Sequence, residues 1–148
     1  MTPAELHRAA ITALAFGDEA RHRRLTQRFD RHDPESAFDH LEAVATVCLV
    51  DRFCGPGPVD HRVLAAFLDE LRATATGTAP PPNFLEVEGA IRSVLGEPHL
   101  SSEIPPGRRT EALVIVLRYL TDTTAAIRGD FDAVIDHARE LLQDRLPA

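Results

Sequence analysis

The chain has 148 residues, 44% apolar and 26% charged, ordinary values for one globular domain that buries roughly two thirds of its unfolded surface. All 16 basic residues are arginines, which excludes Schiff-base and phosphate-loop chemistry that requires lysine. A formal net charge of −7 argues against a general binder of nucleic acid or anionic membrane, because either surface would meet a repulsive field.

Thr2, Pro3 and Glu5 predict a first helix: a cap, a proline at the first helical position, and a glutamate three residues after the cap. Leu6, Ala10, Ala13 and Leu14 give it a small-residue face, and Gly17 ends it. Asp18 is expected to cap a second helix running to about Asp30, anchored by Leu25 and Phe29. Arg21, Arg24, Arg28 and Arg31 recur at i, i+3, i+7 and i+10 and form a basic stripe on that helix. Guanidinium suits bidentate contact with carboxylate or phosphate, so the stripe fits recognition of an acidic partner. It equally fits a solvated face neutralised by Asp18, Glu19, Asp30 and Asp33.

Asp33 before Pro34 opens a third helix to about Phe53, with Phe38, Leu41, Ala45, Cys48 and Leu49 on its apolar face. Gly55-Pro56-Gly57-Pro58 reads as a tight turn. A fourth helix from Pro58 or Val59 to about Ala75 carries Val63, Leu64, Phe67, Leu68 and Leu71. Thr74 to Pro82, with three successive prolines, is a loop crossing the surface. Asn83 and Glu86 repeat the cap-plus-three pattern, and a fifth helix follows to Gly96 with Phe84, Val87, Ile91, Val94 and Leu95 on one face. Pro98, Pro105, Pro106 and Gly107 predict irregular chain after it.

Thr110 to Ile127 is the most continuously apolar stretch. Val114, Ile115 and Val116 are β-branched, yet length and flanks favour a helix over a buried strand. Leu113, Val116, Leu117, Leu120 and Ile127 keep helical spacing, while Glu111, Arg118 and Asp122 fall on one narrow polar seam, with Arg118 and Asp122 paired at i,i+4. A helix apolar on all sides but one seam must be surrounded by the others. The turn Arg128-Gly129-Asp130 then predicts an antiparallel hairpin between this helix and a last one, Phe131 to about Leu146. The expected fold is all-α: a single domain over residues 1–148, six or seven helices bundled around a buried helix near 110–127.

Seven histidines in an acidic chain invite a metal hypothesis. Glu19 and His22 form a Glu-x-x-His pair, but a di-metal bundle needs that pair twice and two further glutamates, and His137 with Glu140 has the order reversed. Asp30, His32, Asp33, Asp39 and His40 gather donors around the start of the third helix, where capping and surface charge account for the same residues. Cys48 and Cys54 match neither zinc-knuckle nor disulfide spacing, so both are expected as reduced thiols, Cys48 in the core. Cys54 and His61 are the one Cys/His arrangement a turn can juxtapose. No Gly-x-Ser-x-Gly elbow or glycine-rich phosphate loop occurs, so no catalytic residue, metal or cofactor is expected. No run approaches 18 apolar residues and no basic start precedes an apolar segment, which makes the cytoplasm the expected location.

Thr12 to Asp18 echoes Thr124 to Asp130, each at a helix junction, but no 34-residue period runs through the chain. Arg52-Phe53-x-Gly55-Pro56, Phe67-Leu68 through Leu71-Arg72, and Glu88-x-x-Ile91-Arg92-x-x-Leu95-Gly96-Glu97 resemble blocks in a group of small uncharacterised helical proteins of GC-rich bacteria. The resemblance spans about the middle third and implies a helical fold without an attached activity. The functional expectation is a non-catalytic interaction protein that presents helical faces to another protein, with homodimerisation through the first or last helix as a further option. The alternatives are a small-molecule or metal-binding helical enzyme using the His and carboxylate positions, and a nucleic-acid-associated regulator using the arginine stripe.

Overall fold

Helix starts follow the capping chemistry closely in the computed structural model, which describes residues 2–29, 34–53, 59–75 and 82–145. α1 (Pro3–Ala15) opens with a complete capping box: the Glu5 amide donates to Thr2 Oγ1 at 3.2 Å and the Thr2 amide donates to Glu5 Oε2 at 2.9 Å. Gly17 turns the chain at φ +78°, a left-handed conformation that favours glycine, and Asp18 then accepts from the Arg21 amide to start α2 (Glu19–Thr26). α2 stops short of the expected Asp30, because the amides of Arg28 and Phe29 bond three residues back as turns.

α3 (Pro34–Phe53) has its expected bounds. α4 (His61–Thr74) starts later than Pro58 or Val59, because the Asp60 carboxylate supplies the cap, accepting from the amides of Arg62 at 2.8 Å and Val63 at 3.4 Å. Asn83 caps α5 (Phe84–Val94), and Gly96 leaves it at φ 110°. The segment expected to be irregular is ordered: Pro98–Glu103 forms a 3₁₀ helix, and Pro106 takes the first position of α6 (Pro106–Thr123), where a missing N–H is harmless.

The far end of the central helix departs from expectation. Thr124 is extended, at φ −114° and ψ 104°, so Ile127 belongs to a separate short helix, α7 (Ala125–Gly129), which precedes α8 (Phe131–Arg145). With α7 interposed, α8 does not form a hairpin on α6; it packs along α3 with α1 at its edge. The echo between Thr12–Asp18 and Thr124–Asp130 is likewise confined to the letters, since Gly17 turns left-handed and Gly129 is helical.

The described residues hold no strand, and the bundle is all-α. α6 lies at its centre, contacted by α1, α3, α5 and α7. Leu113, Val116, Leu117 and Leu120 are fully buried there, each worth roughly 1.5–3 kcal/mol relative to exposure. One contiguous apolar cluster draws on every α-helix except α2. α2 rests instead on α1 through a second, smaller cluster of Leu6, Ala10, Ala13 and Leu25. The small-residue face of α1 is therefore covered within the chain.

Candidate functional groove on the central helix

α6 is not enclosed on every side. At about 100° per residue, Glu111, Ile115, Arg118 and Asp122 fall opposite the buried face, and there a groove of about 1140 Å³ runs along the helix. Val114, Ile115 and Tyr119, all half-buried, lie in its floor. α2 supplies one wall with Glu19, His22, Arg23 and Thr26; the other comes from the end of α4 and the start of α5, through Leu71, Thr74, Asn83, Glu86 and Val87. The predicted polar seam thus exists, but as the bed of a groove in which Ile115 interrupts the charges.

The expected pair between Arg118 and Asp122 is not formed. Arg118 reaches instead to the α1–α2 junction, where Nε donates to the Leu14 carbonyl at 3.0 Å and Nη1 meets Glu19 at 3.1 Å. That carbonyl lies in the last turn of α1, at the negative end of the helix dipole, so a cation there is doubly favoured. Asp122 pairs with Arg128 of α7 at 3.2 Å, and Glu86 with Arg108 at 3.0 Å, a hydrogen bond that raises the Arg108 pKa above its usual value. Three of the acids at the groove are thereby answered by arginines. Arg23 and Glu111 are lining charges without an ion pair to a described residue.

Tyr119 anchors the floor. Its hydroxyl donates to Glu70 at 2.6 Å, and both Glu70 oxygens accept from Arg52 Nη2 at 3.2 Å. Arg52 sits over the Phe67 ring at 5.5 Å, and Phe67 meets Phe53 and Tyr119 edge-on at 5.4 and 5.5 Å. Burial and the bond to Glu70 push the Tyr119 pKa up. Nothing in local spacing announces this assembly, which joins α3, α4 and α6 across long stretches of chain. The sequence blocks Arg52-Phe53-x-Gly55-Pro56 and Phe67-Leu68 through Leu71-Arg72 supply its members Arg52, Phe53 and Phe67. They also supply Arg72, which lies over Phe84 at 5.1 Å; the block Glu88-x-x-Ile91-Arg92-x-x-Leu95-Gly96-Glu97 supplies the two-bond clasp of Arg92 on Glu97 at 2.8 and 2.7 Å, which holds the Glu97 carboxyl below its usual pKa. Their observed roles are in packing.

The arginine stripe lies elsewhere. Arg21 and Arg24 fall about 200° and 140° around the α2 axis from groove-facing Glu19, so they point away from the groove. Arg28 sits in the turn beyond α2, and Arg31 lies outside the described residues. Arg21, Arg24 and Arg28 are exposed, and none pairs with a described carboxylate. Glu19 and His22 do share a face on the groove, but Glu19 is held by Arg118 and His22 Nδ1 lies 3.0 Å from the Ala10 carbonyl. His40 stacks on His7 at 4.8 Å, and His7 meets Phe29 at 4.4 Å. Asp39 is exposed, while Asp30, His32 and Asp33 lie outside the described residues. His137 and Glu140 are exposed on α8. Among the described residues no three His, Cys, Asp or Glu side chains gather as a metal site. Cys48 is 1% exposed and burial pushes its thiol up to about 12; Cys54, and with it the pair with His61, lies outside the described residues. No described helix is long and apolar enough to cross a membrane. Comparison of the chain with protein-family models, with curated proteins and with solved structures finds no match.

Proposed function

We propose that the chain is a non-catalytic protein-interaction module whose groove takes one amphipathic helix of a partner protein. The open face of α6 carries this reading. From Thr110 to Thr123 the floor extends about 20 Å at 1.5 Å per residue, the length of three to four helical turns. A trough of that length, with an apolar strip between polar rims, suits the helix-in-groove mode, in which anchors at i, i+3 or i+4, and i+7 enter the strip. Because the rim pairs Glu19–Arg118, Glu86–Arg108 and Asp122–Arg128 are already made, affinity comes chiefly from covering Val114, Ile115 and Tyr119. Arg23 and Glu111 leave one charge of each sign to orient the incoming helix. A reducing, cytoplasmic setting belongs to the same proposal, supported by the unpaired buried Cys48.

The test is selection from a displayed library of random peptides three to four helical turns long, against the wild-type chain and against Ile115→Glu. Enriched peptides are expected to carry apolar residues at helical spacing. They should bind Ile115→Glu at least about tenfold more weakly, because a carboxylate would be buried unpaired under them. Circular dichroism of the variant should match wild type. No enrichment, or enriched peptides indifferent to Ile115→Glu, refutes the reading.

A further inference from the structure

Arg21, Arg24 and Arg28 play no part in the groove, and from their placement we infer a second docking surface: the outward face of α2 binds a short acidic segment of a partner protein. The described acids nearest in sequence, Asp18 and Glu19, are committed elsewhere. Asp18 is turned to the helix start, where it accepts from the Arg21 amide, and Glu19 is drawn across the groove edge by Arg118. Elsewhere in the chain Arg8, Arg52, Arg72, Arg92, Arg108, Arg118 and Arg128 each meet a carboxylate. Arg21 and Arg24 on the outer face of α2, and Arg28 in the turn that follows it, are exposed without one among the described residues, in a chain of net charge −7.

Charge and reach specify the occupant. Three residues of helical rise place Arg21 and Arg24 about 4.5 Å apart along the axis, and Arg28 follows in the turn beyond α2. An extended segment rises roughly 3.3 Å per residue, so acids at alternate positions, about 7 Å apart, can engage two of the arginines at once, each carboxylate by paired N–H donors. A nucleic acid offers anions at similar spacing, but a polymer runs beyond the patch onto a surface whose net field repels it. Screening over about 8 Å at physiological salt confines the attraction to an occupant as short as the patch itself. The inference stands apart from the groove reading, since the two surfaces lie on opposite sides of α2.

The experiment is fluorescence anisotropy with a labelled peptide of alternating Glu and Ser, beside a single-stranded oligothymidylate of equal charge, at low and at physiological salt. The peptide is expected to bind more tightly than the oligothymidylate. Arg21→Gln/Arg24→Gln/Arg28→Gln should weaken peptide binding about tenfold, a few-fold per exposed pair, with unchanged circular dichroism. Arg62→Gln, at an exposed position of α4, should change it less than about twofold, and Ile115→Glu should leave it unaltered, which separates this surface from the groove. Absence of peptide binding at low salt, tighter binding of the oligothymidylate, or an equal loss in Arg62→Gln overturns the inference.

Discussion

Replacing Arg118 by Met keeps the aliphatic stem and removes two contacts, the 3.0 Å bond to the Leu14 carbonyl and the 3.1 Å pair with Glu19. A hydrogen bond from a charged donor contributes roughly 1.5–3 kcal/mol. The Arg118 side chain is 31% exposed, which places its share near the low end, and the pair with Glu19, itself 67% exposed, adds at most about 1 kcal/mol. The expected loss is about 2 kcal/mol, which for a chain of this size lowers Tm by roughly 4–8 °C. Calorimetry or urea unfolding measures it, and a double-mutant cycle with Glu19→Gln apportions it. Glu19→Gln alone should cost under about 1 kcal/mol. A loss below about 0.5 kcal/mol for Arg118→Met, or a coupling to Glu19 that accounts for the whole effect, would refute the assignment of Arg118 to the end of α1.

Tyr119 is the one tyrosine in a chain without tryptophan, so its ultraviolet titration is read without interference. Burial first, and then its bond to Glu70, favour the neutral phenol in the fold. Its stabilising contribution is therefore complete below the ordinary value near pH 10 and is lost as pH rises through the raised folded value. Glu70→Gln should bring the phenolate midpoint part of the way down, and a wild-type midpoint at the ordinary tyrosine value contradicts the geometry. In a Cys54→Ser variant, Cys48 should resist an aromatic disulfide reagent at neutral pH until denaturant is added, because it is 1% exposed and its thiolate is disfavoured up to about 12; prompt labelling of the folded protein contradicts its burial.

The beginnings of the helices were the most legible part of this fold. Thr2 with Glu5, Asp18, and Asn83 each act within three residues of themselves, so local spacing is enough to predict them. The break at Thr124 carries no comparable mark, since neither glycine nor proline stands there and alanines follow. The groove was legible only in part. Periodicity distinguishes the buried side of α6 from the seam, yet it says nothing of which neighbours cover a helix, and α2 and α5 stand apart over Ile115. Arg118 was expected to pair four residues along its own helix, where a contact exposed to water is weak; the end of α1, more than a hundred positions away in sequence, offered a stronger partner. The stripe at Arg21, Arg24 and Arg28 was visible as a pattern, but its orientation away from the groove depends on Leu25 settling against α1.

Because α2 is held through Leu6, Ala10, Ala13 and Leu25 and adds no side chain to the main core, its detachment forfeits that small cluster, the contact of His22 with the Ala10 carbonyl and the pair of Glu19 with Arg118, while the bond of Arg118 to Leu14 of α1 stays. Such an element occupies the low end of the range of local opening energies, well below global unfolding. Gly17, already left-handed and with open space around its α-carbon, gives the chain a natural pivot for that opening. The width of the groove is then a thermodynamic variable: a partner that requires the wall closed binds in proportion to the closed fraction, and an occupant of the outer face of α2 shifts that fraction only by as much as its affinity differs between the closed and opened states.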